Sequence, residues 1–162
     1  MSFNQRTSFV QILLKIPVPW VFILTYLTGV VLQLIFPIAN PSVAVSHIAM
    51  VAGIILFATG AIFASWSLLI FHKARTTTTP GESSKRLITD GPYRLTRNPM
   101  YISLLLAYLG EAGLLAQCWP VIVLPLMTVY LNRIVIPLEE DILRKDFKEE
   151  FKNYCSRVNR WF

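Results

Sequence analysis

The chain has 162 residues, with 15 Lys+Arg against 9 Asp+Glu, a net charge of +6, and 54% apolar residues. Only 15% of its residues are charged, whereas about 25% is usual for a soluble domain. This composition excludes a disordered chain, because disorder requires low hydrophobicity, and it argues against an ordinary soluble globule.

The predicted elements begin with two membrane spans. Asp, Glu, Lys and Arg are all absent between Lys15 and Lys73, and crossing a bilayer takes about 20 apolar residues. This interval therefore holds span one, over residues 16–36, and span two, over residues 43–71, with a turn between them. Small residues recur along one face of span two and predict close packing against another helix; they are Ala49, Gly53, Gly60 and Ala64.

A polar loop follows over residues 72–99, and its basic residues outnumber its acidic ones. Apolar residues resume at Met100 and continue to about Pro137, a length that suits two short spans with a break at residues 117–120. The tail, residues 138–162, is predicted to form an amphipathic helix because its apolar residues recur at helical spacing. The predicted fold class is an all-α integral membrane protein. It has about four transmembrane helices, the last two a short hairpin, plus a cytoplasmic loop and an amphipathic C-terminal helix.

The distribution of charge predicts the orientation. Lys and Arg are concentrated in the N-terminal segment, the loop and the tail, and are absent from the turns near residues 37–43 and 117–120. Segments rich in these residues stay in the cytoplasm. We therefore expect a multi-pass protein of a prokaryotic inner membrane with both termini in the cytoplasm. The whole chain, 1–162, is predicted to be one membrane domain, with an N-terminal two-helix part over residues 1–71.

The loop before span three carries the first candidate site. Turns at Gly91-Pro92 and Asn98-Pro99 bracket Tyr93 and Arg97. Backbone N–H groups at a helix start, with an arginine beside them, attract a carboxylate or a phosphate. A basic loop with aromatic anchors that contacts lipid headgroups fits the same residues. The residues alone leave both interpretations open.

Ionisable residues near the last two spans form the second candidate group. Glu139 and Glu140 begin the tail helix, where acids stabilise the helix dipole by about 0.3–1 kcal/mol each. Arg133 lies earlier in an apolar helix, where an ionisable residue usually faces a cavity or a partner. Snorkelling to the cytoplasmic surface also accounts for Arg133. Glu111 is the one acid inside the predicted spans, and we expect it to be buried and either protonated or internally hydrogen-bonded.

Several of these residues form a pattern that resembles the membrane methyltransferase family of isoprenylcysteine carboxyl methyltransferases and phospholipid methyltransferases. The resemblance covers about residues 72–162, and the order and spacing of its blocks together are specific. The blocks are Leu87-Ile88-Thr89-Asp90-Gly91-Pro92-Tyr93, Arg97-Asn98-Pro99-Met100-Tyr101, Glu139-Glu140, Phe147-Lys148-Glu149-Glu150-Phe151, Tyr154 and Arg157-Val158-Asn159-Arg160.

The resemblance implies that the loop and the hairpin enclose S-adenosylmethionine at the cytoplasmic face, within a cofactor-binding core over residues 72–162. Where the family has His, this chain has Lys85 and Asn98, and where the family's tail block has Gly, this chain has Lys148. An acceptor-positioning arginine of the carboxyl methyltransferases falls near Val135, and we expect Arg133 to take its role. The implied cofactor contacts are Lys85, Arg86, Leu87, Ile88, Tyr93, Asn98, Pro99, Met100, Tyr101 and Glu139.

We therefore predict an S-adenosylmethionine-dependent methyltransferase. Its acceptor is a lipid or lipidated molecule in the membrane, resembling either an isoprenylcysteine carboxylate or a phospholipid amine. Glu139 is predicted to bind the ammonium of the cofactor and the helix start at Asn98 its carboxylate. Arg133 is predicted to orient the acceptor, and Glu140 is the candidate base for an amine.

The sequence also bears on metal and nucleic-acid binding and on two alternative functions. The two cysteines, Cys118 and Cys155, lack metal-ligand spacing, so we expect no metal, and the basic residues flank apolar segments, so we expect no nucleic acid. One alternative function is an NADPH-dependent sterol-type reductase of related architecture. Another is a non-enzymatic membrane scaffold or transporter subunit.

Overall fold

The computed structural model describes residues 17–38, 43–74 and 86–161. In these ranges the chain forms five α-helices: α1 (Val18–Ile35), α2 (Val43–Ala74), α3 (Pro99–Leu114), α4 (Cys118–Tyr130) and α5 (Ile136–Cys155). A short 3-10 helix at Gly91–Arg94 precedes α3, and a π-helical turn at Leu131–Val135 joins α4 to α5. This all-helical architecture of the described residues confirms the predicted fold class.

Three helical stretches in the described residues are long and apolar enough to cross a membrane: Val18–Ile35, Val45–Lys73 and Cys118–Cys155. Helix α3 has 16 residues, which is about 24 Å at 1.5 Å per residue, as expected for half of a short hairpin. Beyond Pro137 the Cys118–Cys155 helix becomes rich in charged residues. We therefore assign its membrane-spanning part to residues 118–137, and the remainder projects from the membrane.

Helix α2 packs along α3, and α1 packs along α4. Small residues bring α2 and α3 into backbone contact. A Cβ atom on Gly53 would lie 2.7 Å from the carbonyl oxygen of Gly110, and one on Gly60 would lie 2.8 Å from the carbonyl oxygen of Ser103. No larger side chain fits at such distances, so the predicted close packing along the small face of span two is confirmed.

The apolar core lies where α1 and α4 meet α3. The rings of Phe22 and Tyr26 from α1 pack edge-to-face against Tyr108, with centroid distances of 6.3 and 5.0 Å. Met127 and Leu131 fill the space beside them and are buried. This core fixes the position of α3 relative to the Cys118–Cys155 helix, and both helices contribute to the candidate site.

The turn between α3 and α4 covers residues 115–117, slightly earlier than the predicted break at 117–120. It is a Schellman motif, in which the Gln117 N–H donates to the Ala112 carbonyl at 2.9 Å and the Ala116 N–H donates to the Gly113 carbonyl at 3.2 Å. Ala116 has the positive φ of 48° that this motif requires. Because α3 ends at Leu114, Glu111 lies in its last turn and is exposed, which corrects its predicted burial.

Helix α4 continues into α5 without a break, so the fourth span and the tail are one helix rather than two. The Ile136 N–H donates to the carbonyl of Leu131, five residues earlier. Pro137 has no N–H with which to bond the carbonyl of Arg133. The π turn therefore replaces the usual hydrogen-bond ladder and inserts an extra residue, which changes the direction in which the following side chains point.

Helix α5 ends at Cys155, whereas the predicted tail helix continued to Phe162. Residues 156–161, called the strap from here on, turn back towards the loop before α3. Within α5, Lys148 has a φ of 42° and a ψ of −114°, so the helix is kinked there. The prediction is correct for the first five turns of the tail and wrong for its end.

Candidate functional site

A cleft lies between the loop before α3 and the first half of α5. The empty space of the cleft is about 530 Å³, a figure that includes open solvent. Apolar and aromatic side chains form one wall, namely Phe71, Leu87, Ile88, Tyr93, Ile136, Leu143, Phe151 and Tyr154. The ionisable and amide side chains that line it are Arg86, Arg97, Asn98, Glu139 and Glu140.

The loop is fixed between α2 and α5 through Tyr93 and Gly91. The Tyr154 hydroxyl donates to the carbonyl of Tyr93 at 2.7 Å, and the ring of Phe71 packs edge-to-face on the Tyr93 ring at 5.7 Å. Gly91 has a φ of +61°, and a Cβ there would collide with the side chain of Ile70. Only glycine satisfies both the backbone conformation and this close approach.

Glu139 is one of the two acidic residues that line the cleft. The Tyr101 hydroxyl at the start of α3 donates to Glu139 Oε1 at 2.5 Å. Burial raises the pKa of Glu139 to about 7; the hydrogen bond from Tyr101 opposes this rise and the charge of Glu140 adds to it. Burial likewise raises the pKa of Tyr93. The Glu139 carboxyl is thus a buried acid whose ionised form a bound cation would favour.

Glu140 is held very differently from its neighbour. Arg160 donates from Nε to Oε1 at 2.8 Å and from Nη2 to Oε2 at 2.6 Å, and Arg97 Nη1 lies 3.1 Å from Oε1. The Glu140 side chain is only 9% exposed. Both carboxylate oxygens are therefore engaged by guanidinium groups, a bidentate and charge-compensated arrangement. This geometry argues against the predicted role of Glu140 as a base and favours a structural one.

The strap crosses the loop directly before α3. The Arg97 N–H donates to the Asn159 carbonyl at 2.9 Å. The carbonyl of Arg160 accepts from Thr96 Oγ1 at 2.8 Å and from Asn98 Nδ2 at 2.9 Å. These bonds satisfy two buried polar side chains, since Thr96 is fully buried and Asn98 is 8% exposed. The amide of Asn98 therefore holds the strap, in addition to lining the cleft.

The structure brings most of the predicted cofactor contacts together. Tyr101 reaches the site through Glu139, whereas Pro99 and Met100 begin α3 outside the cleft lining. Lys85 lies outside the described residues. Arg133 is exposed on the π turn and is not part of the lining. The predicted residues that do line the cleft are Arg86, Leu87, Ile88, Tyr93, Asn98, Glu139 and Glu140.

Two features of the site were missed by reasoning from the sequence. One is the apolar wall contributed by Phe71 and Leu143, which come from helices far apart in the chain. The other is the pairing of Arg160 with Glu140. Both members of this pair lie in the blocks that carry the family resemblance, so matching their opposite charges is the signal that would have found it.

Comparison with known proteins gives three results. The family model described as phospholipid methyltransferase matches residues 48–150, more than half of the chain. The cobalt-zinc-cadmium resistance protein CzcN of Cupriavidus metallidurans is 33% identical over 82 residues, which cover 51% of this chain and 38% of that protein. The chain thus matches well under half of the length of this relative. No solved structure matches.

Proposed function

Since this chain belongs to the phospholipid methyltransferase family, we propose that it transfers a methyl group from S-adenosylmethionine to a lipid or lipidated acceptor in the membrane. Membership of the family implies a membrane methyltransferase. The cofactor, the acceptor and the site residues are our proposal. The observation that supports them most directly is the carboxyl group of Glu139, which lines the cleft and accepts a hydrogen bond from Tyr101.

The cleft residues fit S-adenosylmethionine in charge and polarity. Glu139 would hold the ammonium of its amino-acid part. Arg97 also lines the cleft, and its positive charge suits the carboxylate. The aromatic wall around Tyr93 and Phe71 suits an adenine ring.

When bound, the cofactor supplies a methyl group on a sulfonium, whose carbon–sulfur bond breaks as the acceptor's oxygen or nitrogen bonds to the carbon. The chain's own residues supply position and charge rather than acid–base chemistry. Tyr101 keeps the Glu139 carboxyl in one orientation, and the apolar wall provides a nonpolar surface in the same cleft. A carboxylate acceptor requires no base, which agrees with the engagement of both Glu140 oxygens by arginine.

We propose further that the cleft faces the cytoplasm and that the acceptor enters from the bilayer. The loop, α5 and the strap carry most of the positive charge of the described residues, and such segments remain on the cytoplasmic side of an inner membrane. A soluble cofactor is then reached from the cytoplasm, and an apolar acceptor from the side of the short hairpin.

Isothermal titration of the purified protein with S-adenosylhomocysteine and with NADPH tests the proposal. We expect binding of S-adenosylhomocysteine only, and we expect Glu139→Gln to weaken it about 10- to 150-fold, the equivalent of 1.5–3 kcal/mol for a charged contact. Glu150→Gln, an exposed position on the same helix, is the matched control and leaves the affinity unchanged. Binding of NADPH instead supports a reductase, and binding of neither supports a non-enzymatic protein.

A further inference from the structure

The strap connects three parts of the molecule that are distant in sequence. Its backbone bonds the loop through Arg97 and Asn98, as described above. The indole Nε1 of Trp161 donates to Asn132 Oδ1 on the π turn at 2.9 Å. The side chain of Arg160 donates to Glu140 on α5. The loop, the π turn and α5 are thus all bonded to one short segment.

We propose that Arg160 is a positioning residue of the cleft: by pairing with both oxygens of Glu140, it holds the loop against α5 and shields Glu139 from the negative charge of Glu140. The proposal rests on the proposed cofactor role of Glu139. Arg160 does not line the cleft, so it acts through its neighbour rather than by touching a ligand.

Glu139 and Glu140 are adjacent, and the charge of Glu140 affects the ionisation of Glu139. Two adjacent carboxylates repel each other, and an uncompensated negative charge beside Glu139 disfavours its ionisation. Glu140 is almost fully buried, with 9% of its side chain exposed, so solvent screens its charge poorly. The bidentate contact from Arg160 is the shortest ion pair that Glu140 makes, at 2.6 Å against 3.1 Å to Arg97.

Other titratable and charged groups also lie around Glu139. Glu140 is the neighbouring acid, and its effect on the pKa of Glu139 is upward. Tyr93 of the 3-10 helix is neutral at physiological pH, because burial raises its pKa, and the Tyr101 hydroxyl donates a hydrogen bond to Glu139. The remaining charges are the arginines of the loop and the strap. The full set is Tyr93, Tyr101, Arg86, Arg97, Glu140 and Arg160.

The test measures the protonation of Glu139 in the full-length protein without ligand. Difference infrared spectroscopy follows the protonated carboxyl band during a pH titration, and loss of the band in Glu139→Gln identifies it. We expect Arg160→Gln to raise the midpoint by at least about half a pH unit. Arg160→Lys, which keeps the charge, stays near the wild-type midpoint. Arg157→Gln, an exposed arginine on the same strap, leaves the midpoint unchanged.

A double variant separates electrostatic shielding from simple loss of structure. Arg160→Gln with Glu140→Gln lacks the same ion pair but also lacks the negative charge, so the midpoint returns to the wild-type value or below. If the double variant keeps the raised midpoint, or if Arg160→Gln does not move it, the proposal is wrong.

Titration with S-adenosylhomocysteine across the same pH range tells the two proposals apart. Wild-type affinity is expected to fall about tenfold per pH unit below the midpoint, because the neutral carboxyl cannot pair with an ammonium. If the infrared midpoint shifts as expected but the affinity does not depend on Glu139, the shielding role of Arg160 stands and the assigned cofactor site fails.

Discussion

At the scale of single residues, Glu139 and Glu140 are adjacent in the chain but have different surroundings. Glu139 has a neutral hydroxyl partner at 2.5 Å, and Glu140 has two arginines. Successive side chains of a helix point about 100° apart, so one faces the start of α3 and the other the strap. Different environments give paired carboxyls different tasks, and we propose that Glu139 binds the cofactor while Glu140 pairs with the arginines.

Arg133 is predicted from the sequence to orient the acceptor, but in the structure it does not line the cleft. It is exposed on the π turn, on the membrane side of Glu139 in the helix. We propose that it meets the polar head of the acceptor. Arg133→Ala is then expected to leave S-adenosylhomocysteine affinity within about threefold of wild type, under ~0.7 kcal/mol. Methyl transfer to a lipid extract is expected to fall at least tenfold, about 1.4 kcal/mol.

Lys145→Ala, an exposed position on α5, serves as the control for this variant and retains activity. Unchanged activity in Arg133→Ala would mean that the side chain only snorkels to the membrane surface. Loss of both affinity and activity would place Arg133 in the cofactor site.

Lys148 occupies a backbone conformation that favours glycine. Its φ of 42° with a ψ of −114° costs a residue with a Cβ about 1–3 kcal/mol. The family resemblance implies a glycine at this position, and the kink gives the physical reason. Lys148→Gly is expected to raise the stability by about 1 kcal/mol, because the relief of strain exceeds the entropy cost of glycine.

Thermal unfolding in detergent measures this effect. The control is Lys145→Gly at a regular helical position, which is expected to cost about 1 kcal/mol. If both glycine variants are destabilised to the same degree, Lys148 is not strained.

At the scale of helices, the π turn is the element that orients the acidic pair. Pro137 removes one donor from the ladder, and the Ile136 N–H reaches back five residues to Leu131. The helix thereby gains one residue between α4 and the site. The direction of Glu139 relative to α4 depends on this local change of hydrogen bonding.

The contact between α2 and α3 gives a prediction at the same scale. A side chain on Gly53 would meet the backbone of Gly110 and Leu114 at 2.7 Å, and backbone atoms cannot move aside as a flexible side chain does. Gly53→Leu is expected to destabilise the fold by about 1–3 kcal/mol or more. The control Ala52→Leu adds the same bulk on an exposed face, and its unfolding temperature is expected to stay near wild type. Equal effects of the two variants would contradict the close packing.

At the scale of the whole molecule, charged residues are unevenly distributed between the two ends of the helices. The start of α4 contacts the end of α1, where Trp119 Nε1 donates to the Phe36 carbonyl at 2.7 Å. Charged residues gather at the opposite end, with the cleft. This division agrees with the predicted orientation, in which the charged end is cytoplasmic.

Cysteine labelling in intact cells tests the orientation. In a variant with Cys118 and Cys155 replaced by Ser, a reagent that cannot cross the membrane is expected to label Leu115→Cys and not Asn153→Cys, both at exposed positions. Labelling of both positions after the cells are opened is the control for reactivity. The reverse pattern before opening would invert the topology.

The sequence by itself determined the number of apolar segments, their approximate bounds and the residues that carry the family resemblance. Hydrophobic length and charge at the ends of spans are local properties, so reading along the chain was sufficient. The small face of α2 could be predicted for the same reason, since its members recur at helical spacing. Most of the predicted cofactor contacts lie at the cleft because they belong to contiguous blocks.

Only the tertiary structure decided which residues meet across the chain. The strap turns back after Cys155, and this reversal brings Arg160 to Glu140 and to the loop before α3. The continuity of α4 with α5 and the exposure of Glu111 also depend on where helices end and how they pack. Periodicity in the sequence predicts which face of a helix is apolar, but contacts between distant segments depend on how the chain folds back on itself.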